Sequence, residues 1–166
     1  MSIKIILATI AAIVAMGSMT TLGFNNSALG QQAFTADLSG DDELPPVDTN
    51  GTGIATFQTN GNTMNYQLSV SDLNNVTAAH IHRGDSDHNG KIVVNLLNNT
   101  SKGPTSGLLS QGTITASNLR GPLAGHPLSD LIDIMDNGTA YVNAHTKDFP
   151  LGEIRGNIES TGGGGG

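Results

Sequence analysis

The sequence predicts an all-β domain, a Greek-key antiparallel β-sandwich of about eight strands with one short helix. Three observations lead there. Short runs of alternating apolar and polar residues recur along the chain, each bounded by Gly, Pro, Asn or Asp. Charged residues make up only 13% and aromatics 4%, with 22 Gly and abundant Asn, Thr and Ser, a composition that favours strands and turns over long helices. Helical periodicity occurs only once.

The first strand is expected at residues 34–38, where Phe34, Ala36 and Leu38 share a face. Residues 40–47 follow, kept extended or turning by Pro45-Pro46. A second strand over 53–58 leads into Asn60-Gly61-Asn62, a hairpin turn because Asn-Gly tolerates positive φ. In the third strand Met64, Tyr66, Leu68 and Val70 alternate with Asn65, Gln67 and Ser69, so one face is buried and one is wet. The fourth carries His80 and His82 and closes on a loop at 84–90. Residues 92–97 form a nearly continuous apolar run, suited to a strand covered on both faces or lying near the sandwich centre. A Gly/Ser/Pro-rich loop is expected at 98–107 and a short strand at 112–115. Leu128, Leu131, Ile132 and Met135 sit at i, i+3, i+4 and i+7 after Pro127, and Asn137-Gly138 supplies a stop, so residues 127–136 are predicted as a helix. A strand bearing His145 follows, then a turn at 147–152. The last strand, 153–159, is expected to face Ile154 and Ile158 inward and Glu153, Arg155 and Asn157 outward.

Residues 1–32 read as a signal peptide or N-terminal anchor plus a polar linker. One positive charge at Lys4 precedes an apolar run over 5–16 broken only by Thr9, the pattern of an export signal. Cleavage between Gly17 and Gln32 is favoured over a retained anchor, because Gly17, Ser18, Thr20, Thr21 and Gly23 dilute the apolar segment. The expected location is therefore secreted or extracytoplasmic, with membrane contact only through that segment if it is kept. Residues 33–160 form the domain, about 130 residues and enough for one core. Residues 161–166 are a Gly-rich disordered tail.

Charge and cysteine content exclude whole classes of function. With 14 acidic against 7 basic residues the net charge is −7, and no Lys/Arg cluster is present, which argues against nucleic acid or anionic lipid as a partner. The absence of cysteine removes disulfides, thiolate metal sites and cysteine nucleophiles. No Ser-His-Asp order, phosphate loop or carboxylate pair stands out, so hydrolase and transferase chemistry has no support.

Histidine is the chemistry-bearing residue. On a strand, His80 and His82 project together on the side of Val76 and Ala78, with Ala79 and Ile81 on the other. Likewise Tyr141, Asn143 and His145 oppose the small apolar face Ala140, Val142 and Ala144. If the two strands are neighbours, three imidazoles converge on an outward face as candidate ligands for copper or zinc. The competing expectation is three surface histidines bonded to neighbours and water. A weaker cation site is Asp85-Ser86-Asp87-His88-Asn89-Gly90, the first half of a calcium loop, in which Asp85, Asp87, His88 and Asn89 are candidates. Its twelfth position is Leu96 rather than a carboxylate, so calcium ranks below copper and zinc and a hydrogen-bonded turn is favoured. His126 is expected at the surface beside the helix start, and Glu153 with Arg155 as a solvated ion pair, favoured over the alternative that they position His145 from behind. Asn75, Asn98, Asn99 and Asn137 begin N-glycosylation sequons.

Several motifs in order carry a resemblance to a family. Glu43-Leu44-Pro45-Pro46-Val47 with Thr49 and Gly53, Ala79-His80-Ile81-His82, Asn89-Gly90-Lys91-Ile92-Val93-Val94, Leu119 and Gly121, and Gly138 through His145 to Phe149-Pro150-Leu151-Gly152-Glu153-Ile154-Arg155-Gly156 closely resemble the CHRD (chordin-type) domain. The resemblance implies a secreted or cell-surface binding or structural module whose partner, an extracellular protein or surface component, is unknown. Chordin's cysteine-rich modules are absent, so growth-factor antagonism is not carried over. More remotely, the order of His-x-His, a Gly/Asp/Asn-rich loop and a late His is similar to copper-zinc superoxide dismutases, whose sandwich is of the same superoxide-dismutase-like or immunoglobulin-like kind. That similarity implies copper at His80, His82 and His145 and, as an alternative function, a copper redox enzyme. The departures weigh against an enzyme: no bridging histidine, a shortened zinc loop with only Asp85, Asp87 and His88, no disulfide, and Arg155 out of register with the dismutase's anion-guiding arginine. An inert surface structural protein is the third alternative.

Overall fold

The computed structural model describes residues 31–97, 100 and 102–161. The N-terminal segment, the sequons at Asn98 and Asn99 and the tail at 162–166 lie outside the described residues. The rest is mostly β: β1 (Ala33–Ser39), β2 (Thr52–Asn60), β3 (Thr63–Asn74), β4 (Val76–Arg83), β5 (Lys91–Asn95), β6 (Pro104–Ile114), β7 (Ala140–Thr146), β8 (Ile154–Asn157) and β9 (Glu159–Ser160), with the helix α1 (Leu128–Asp136) between β6 and β7. Every ladder is antiparallel.

The two layers of the expected sandwich are halves of one curled sheet. Its order is β5-β4-β7-β8-β1-β2-β3-β6, with β9 added to β1. The halves join through a thin seam, where Ser39 pairs with Arg155 and β9 pairs with Phe34 and Thr35. One core takes Phe34, Phe57, Leu68, Ile81, Val93, Val142 and Ile154 from both halves, which the curl brings face to face. At the far ends, side chains bridge what the backbone leaves open. Tyr66 Oη and Ser110 Oγ each donate to the Leu96 carbonyl at 2.6 Å, tying β3 and β6 to the end of β5.

The alternation in β2 and β3 matches the sequence pattern, and the helix forms where its periodicity places it, burying Leu128, Leu131 and Met135. Two strands depart from expectation. β6 starts at Pro104, inside the stretch expected to be loop, because two register shifts against β3, one leaving Leu109 of β6 unmatched and one placing an extra residue between Val70 and Leu73 of β3, let the pairing run on to Asn74. β5 lies at the end of the sheet order rather than near its centre, but it meets the other expectation for it, a strand covered on both faces, since the adjacent Val93 and Val94 are both buried. The β6-to-α1 crossover supplies part of that cover, and its Arg120 N–H donates to the Val93 carbonyl at 2.8 Å.

β4 also departs in parity. A bulge between Val76 and Ala78 puts two residues on one side of the ladder, so Val76 turns into the core with Ala79 and Ile81 instead of sharing the histidine face. The histidines keep their face because they lie beyond the bulge.

Candidate metal centre

The site is a small grid on the side of β4, β7 and β8 that faces away from the core. Register sets its rows: Ala78 beside His145; His80 beside Asn143 beside Arg155; His82 beside Tyr141 beside Asn157. The two strands expected to be neighbours are neighbours, and the diagonal pair His80 and His145 closes to 3.1 Å between Nδ1 and Nε2.

This face is outward from the core but not open to water. Loops 40–51, 84–90 and 147–153 fold over it, leaving Tyr141, Asn143 and Arg155 buried and His80 and His145 half-buried. Burial lowers the basicity of all three imidazoles. His80 falls to about 4 through desolvation and then its proximity to His145 and His82; desolvation likewise leads for His82 and His145. At neutral pH the rings are uncharged, the form that binds metal.

Backbone carbonyls orient two of them. His82 Nδ1 lies 2.9 Å from the Gly90 carbonyl and His145 Nδ1 lies 3.1 Å from that of Pro150. A carbonyl only accepts, so each Nδ1 carries the proton and each Nε2 is left with a lone pair. His80 Nδ1 then donates to His145 Nε2. His82 Nε2 makes no hydrogen bond of ordinary geometry although the residue is only 8% exposed; the Asn143 side chain is its polar neighbour, and Asn143 Oδ1 is left unsatisfied as well. A bare buried lone pair is costly unless something electrophilic meets it. The donor atoms of His80, His82 and His145 lie within 4.8 Å of one another. Such atoms all fall within about 2.8 Å of a common point, close to the roughly 2.0–2.1 Å of an imidazole–zinc bond. The three-histidine cluster could therefore hold a metal ion.

Of the other candidate residues, Asp85, His88 and Asn89 are bonded within the protein, whereas the Asp87 carboxylate is exposed. Asp85 Oδ1 accepts from the Asp87 N–H and from His88 Nδ1 at 3.0 and 2.8 Å, an exposed contact that lowers the Asp85 carboxyl and raises His88. Asn89 Nδ2 donates to the Leu44 carbonyl, and its Oδ1 accepts from Arg155 Nη1 at 2.7 Å. His126 is at the surface, paired with Asp130 at 2.7 Å.

Glu153 and Arg155 correct the sequence-based expectation of a solvated ion pair. Both are buried, and they do not pair with each other. Glu153 accepts from the Thr49 and Thr146 hydroxyls at 2.7 and 2.6 Å, pinning the turn that holds the Pro150 carbonyl. Arg155 enters the 84–90 loop and lies 3.6 Å over the Tyr141 ring, so its charge does not face the histidines as a guide for anions would. Glu43 is also buried, at 5% exposure. Its carboxyl is raised by desolvation, opposed by Arg155 and the Asn143 amide, and its Oε1 has no partner. Sequence reasoning placed Glu43 only within a Pro-containing motif; a carboxylate beside two prolines carries no signal of burial. The chain matches the CHRD domain family over residues 34–158, which spans the sheet from β1 to β8. Comparison with curated proteins and with solved structures gives no match.

Proposed function

The chain belongs to the CHRD domain family, and we propose that it is a secreted or surface-held binding module that takes one copper or zinc ion at His80, His82 and His145. The observation that carries this is the buried Nε2 of His82, which no hydrogen bond satisfies, in a cluster whose donor atoms lie within 4.8 Å of one another and in which His80 and His145 already meet ring to ring. Three neutral imidazoles without thiolate or carboxylate suit copper and zinc over calcium or magnesium. Bound there by His80, His82 and His145, the ion would supply a Lewis-acidic centre. The chain's own part is to hold two Nδ1 protons on carbonyls and to yield the proton between His80 and His145.

The test is titration of metal-free protein with Zn²⁺ and Cu²⁺, read by calorimetry and by elemental analysis after dialysis. One ion per chain is expected, with His82→Ala and His145→Ala each weakening binding at least about 100-fold. Equal and negligible metal in wild type and variants overturns the proposal.

A further inference from the structure

The 84–90 loop has the sequence of half a calcium site, yet its interior holds a cation that the chain itself provides. The Arg155 guanidinium, 1% exposed, donates through Nη1 to Asn89 Oδ1 and through Nη2 to the carbonyls of Asp85 and His88. Its planar face rests on Tyr141, and Tyr141 in turn stacks on His82 with ring centroids 4.8 Å apart and planes 10° from parallel. A three-layer stack thus runs from a buried cation to one of the imidazoles.

A second path between the same two residues passes through Gly90. The loop that Arg155 fills ends at Gly90, whose N–H donates to Tyr141 Oη at 3.2 Å and whose carbonyl accepts from His82 Nδ1 at 2.9 Å. Only glycine fits there, because a Cβ would collide with the Arg83 carbonyl. Stacking sets the plane of the His82 ring, and the Gly90 carbonyl sets its rotation within that plane. Together they determine where Nε2 points.

We infer that Arg155 and Tyr141 are positioning residues for the three-histidine centre, with Arg155 occupying the loop in place of an external cation and holding His82 on its bearing. The inference rests on the metal-binding proposal and adds the residues that set its geometry. Lysine is not an equivalent occupant, since a point ammonium cannot span three acceptors while lying flat on a ring. Calcium is not one either, because binding it would displace a buried guanidinium from all its partners.

The test uses the full chain with ¹⁵N-labelled histidine. His82 ring-nitrogen resonances are recorded for metal-free wild type, Arg155→Lys, Tyr141→Phe and Leu68→Ala, and Zn²⁺ affinity is measured for each. Wild type should show His82 protonated at Nδ1, with no change on adding millimolar CaCl₂. Arg155→Lys should move the His82 resonances and weaken Zn²⁺ by about 10- to 100-fold, as loss of outer partners of a ligand does. Tyr141→Phe, which keeps the ring and loses only the hydroxyl, should weaken it about 2- to 10-fold, the worth of one hydrogen bond. Leu68→Ala lies in the other half of the sheet and should melt earlier with unchanged affinity. A folded Arg155→Lys with wild-type resonances and affinity overturns the inference, as does a calcium-induced shift of the loop or a loss of affinity in Leu68→Ala equal to that in Arg155→Lys. If Arg155→Lys does not fold, unmoved His82 resonances in Tyr141→Phe overturn it. If wild type binds no Zn²⁺ or Cu²⁺, the metal proposal fails by itself, and the resonances of the metal-free variants still decide the positioning.

Discussion

Single positions in the grid show how tightly chemistry and packing are joined. Gly152 has φ +134, and a Cβ there would run into Glu43 Oε1 and the Asn143 amide. Gly152→Ala is expected to cost about 3 kcal/mol from backbone strain and overpacking combined, measured as a shift of the urea midpoint. The histidines give a pH dependence with a definite sign. The fold holds them neutral, with His80 at about 4, whereas the unfolded chain takes up protons near 6.5. Between those values the unfolded state binds more protons, so stability of the metal-free protein is full above about pH 6.5 and falls as the pH drops toward about 4. Urea titrations at pH 7 and pH 5 should show the loss in wild type and a smaller one in His80→Ala; an equal loss in both would refute the assignment.

At the scale of elements, the helix and the strands behave differently as objects of inference. Local periodicity was sufficient for α1, since a helix satisfies its own backbone and needs only one apolar stripe, here Leu128, Leu131 and Met135. Leu131→Ala removes a wholly buried side chain from that stripe and should cost about 2–5 kcal/mol by thermal unfolding. Strands depend on their neighbours. The bulges that turned Val76 inward and carried β6 back to Pro104 exist only in pairs of strands, and neither strand's own residues announce them. Leu108 in β6 is 56% exposed, so Leu108→Lys should leave the urea midpoint within about 0.5 kcal/mol of wild type.

For the whole molecule, one sheet curled on itself does the work of two. The thin seam at Ser39 and Arg155 lets the halves face each other, and the Leu96 carbonyl closes the opposite side through Tyr66 and Ser110. No disulfide reinforces the curl, because the chain has no cysteine. A metal bound by the folded state alone would therefore add directly to global stability. Zn²⁺ at about 100 times its dissociation constant should raise unfolding free energy by about 2.7 kcal/mol, reversed by chelator and absent in His82→Ala. Unchanged melting of wild type at saturating Zn²⁺ would contradict this.

The residues alone determined the all-β class, the single helix, the two histidine strands and the face each imidazole occupies, because alternation and periodicity are local properties of the chain. The convergence of His80, His82 and His145 was legible as a condition, that β4 and β7 be neighbours. Only the tertiary structure decided that they are, and that the face opposite the core is itself buried. It alone turned Glu153 and Arg155 from a solvated pair into separate buried anchors, and filled a calcium-like loop with a guanidinium. The physical reason is that burial and hydrogen-bond partnership belong to surfaces that meet across long sequence separations. Arg155 finds Asn89 66 positions away, and nothing within either strand specifies which loop will fold over it.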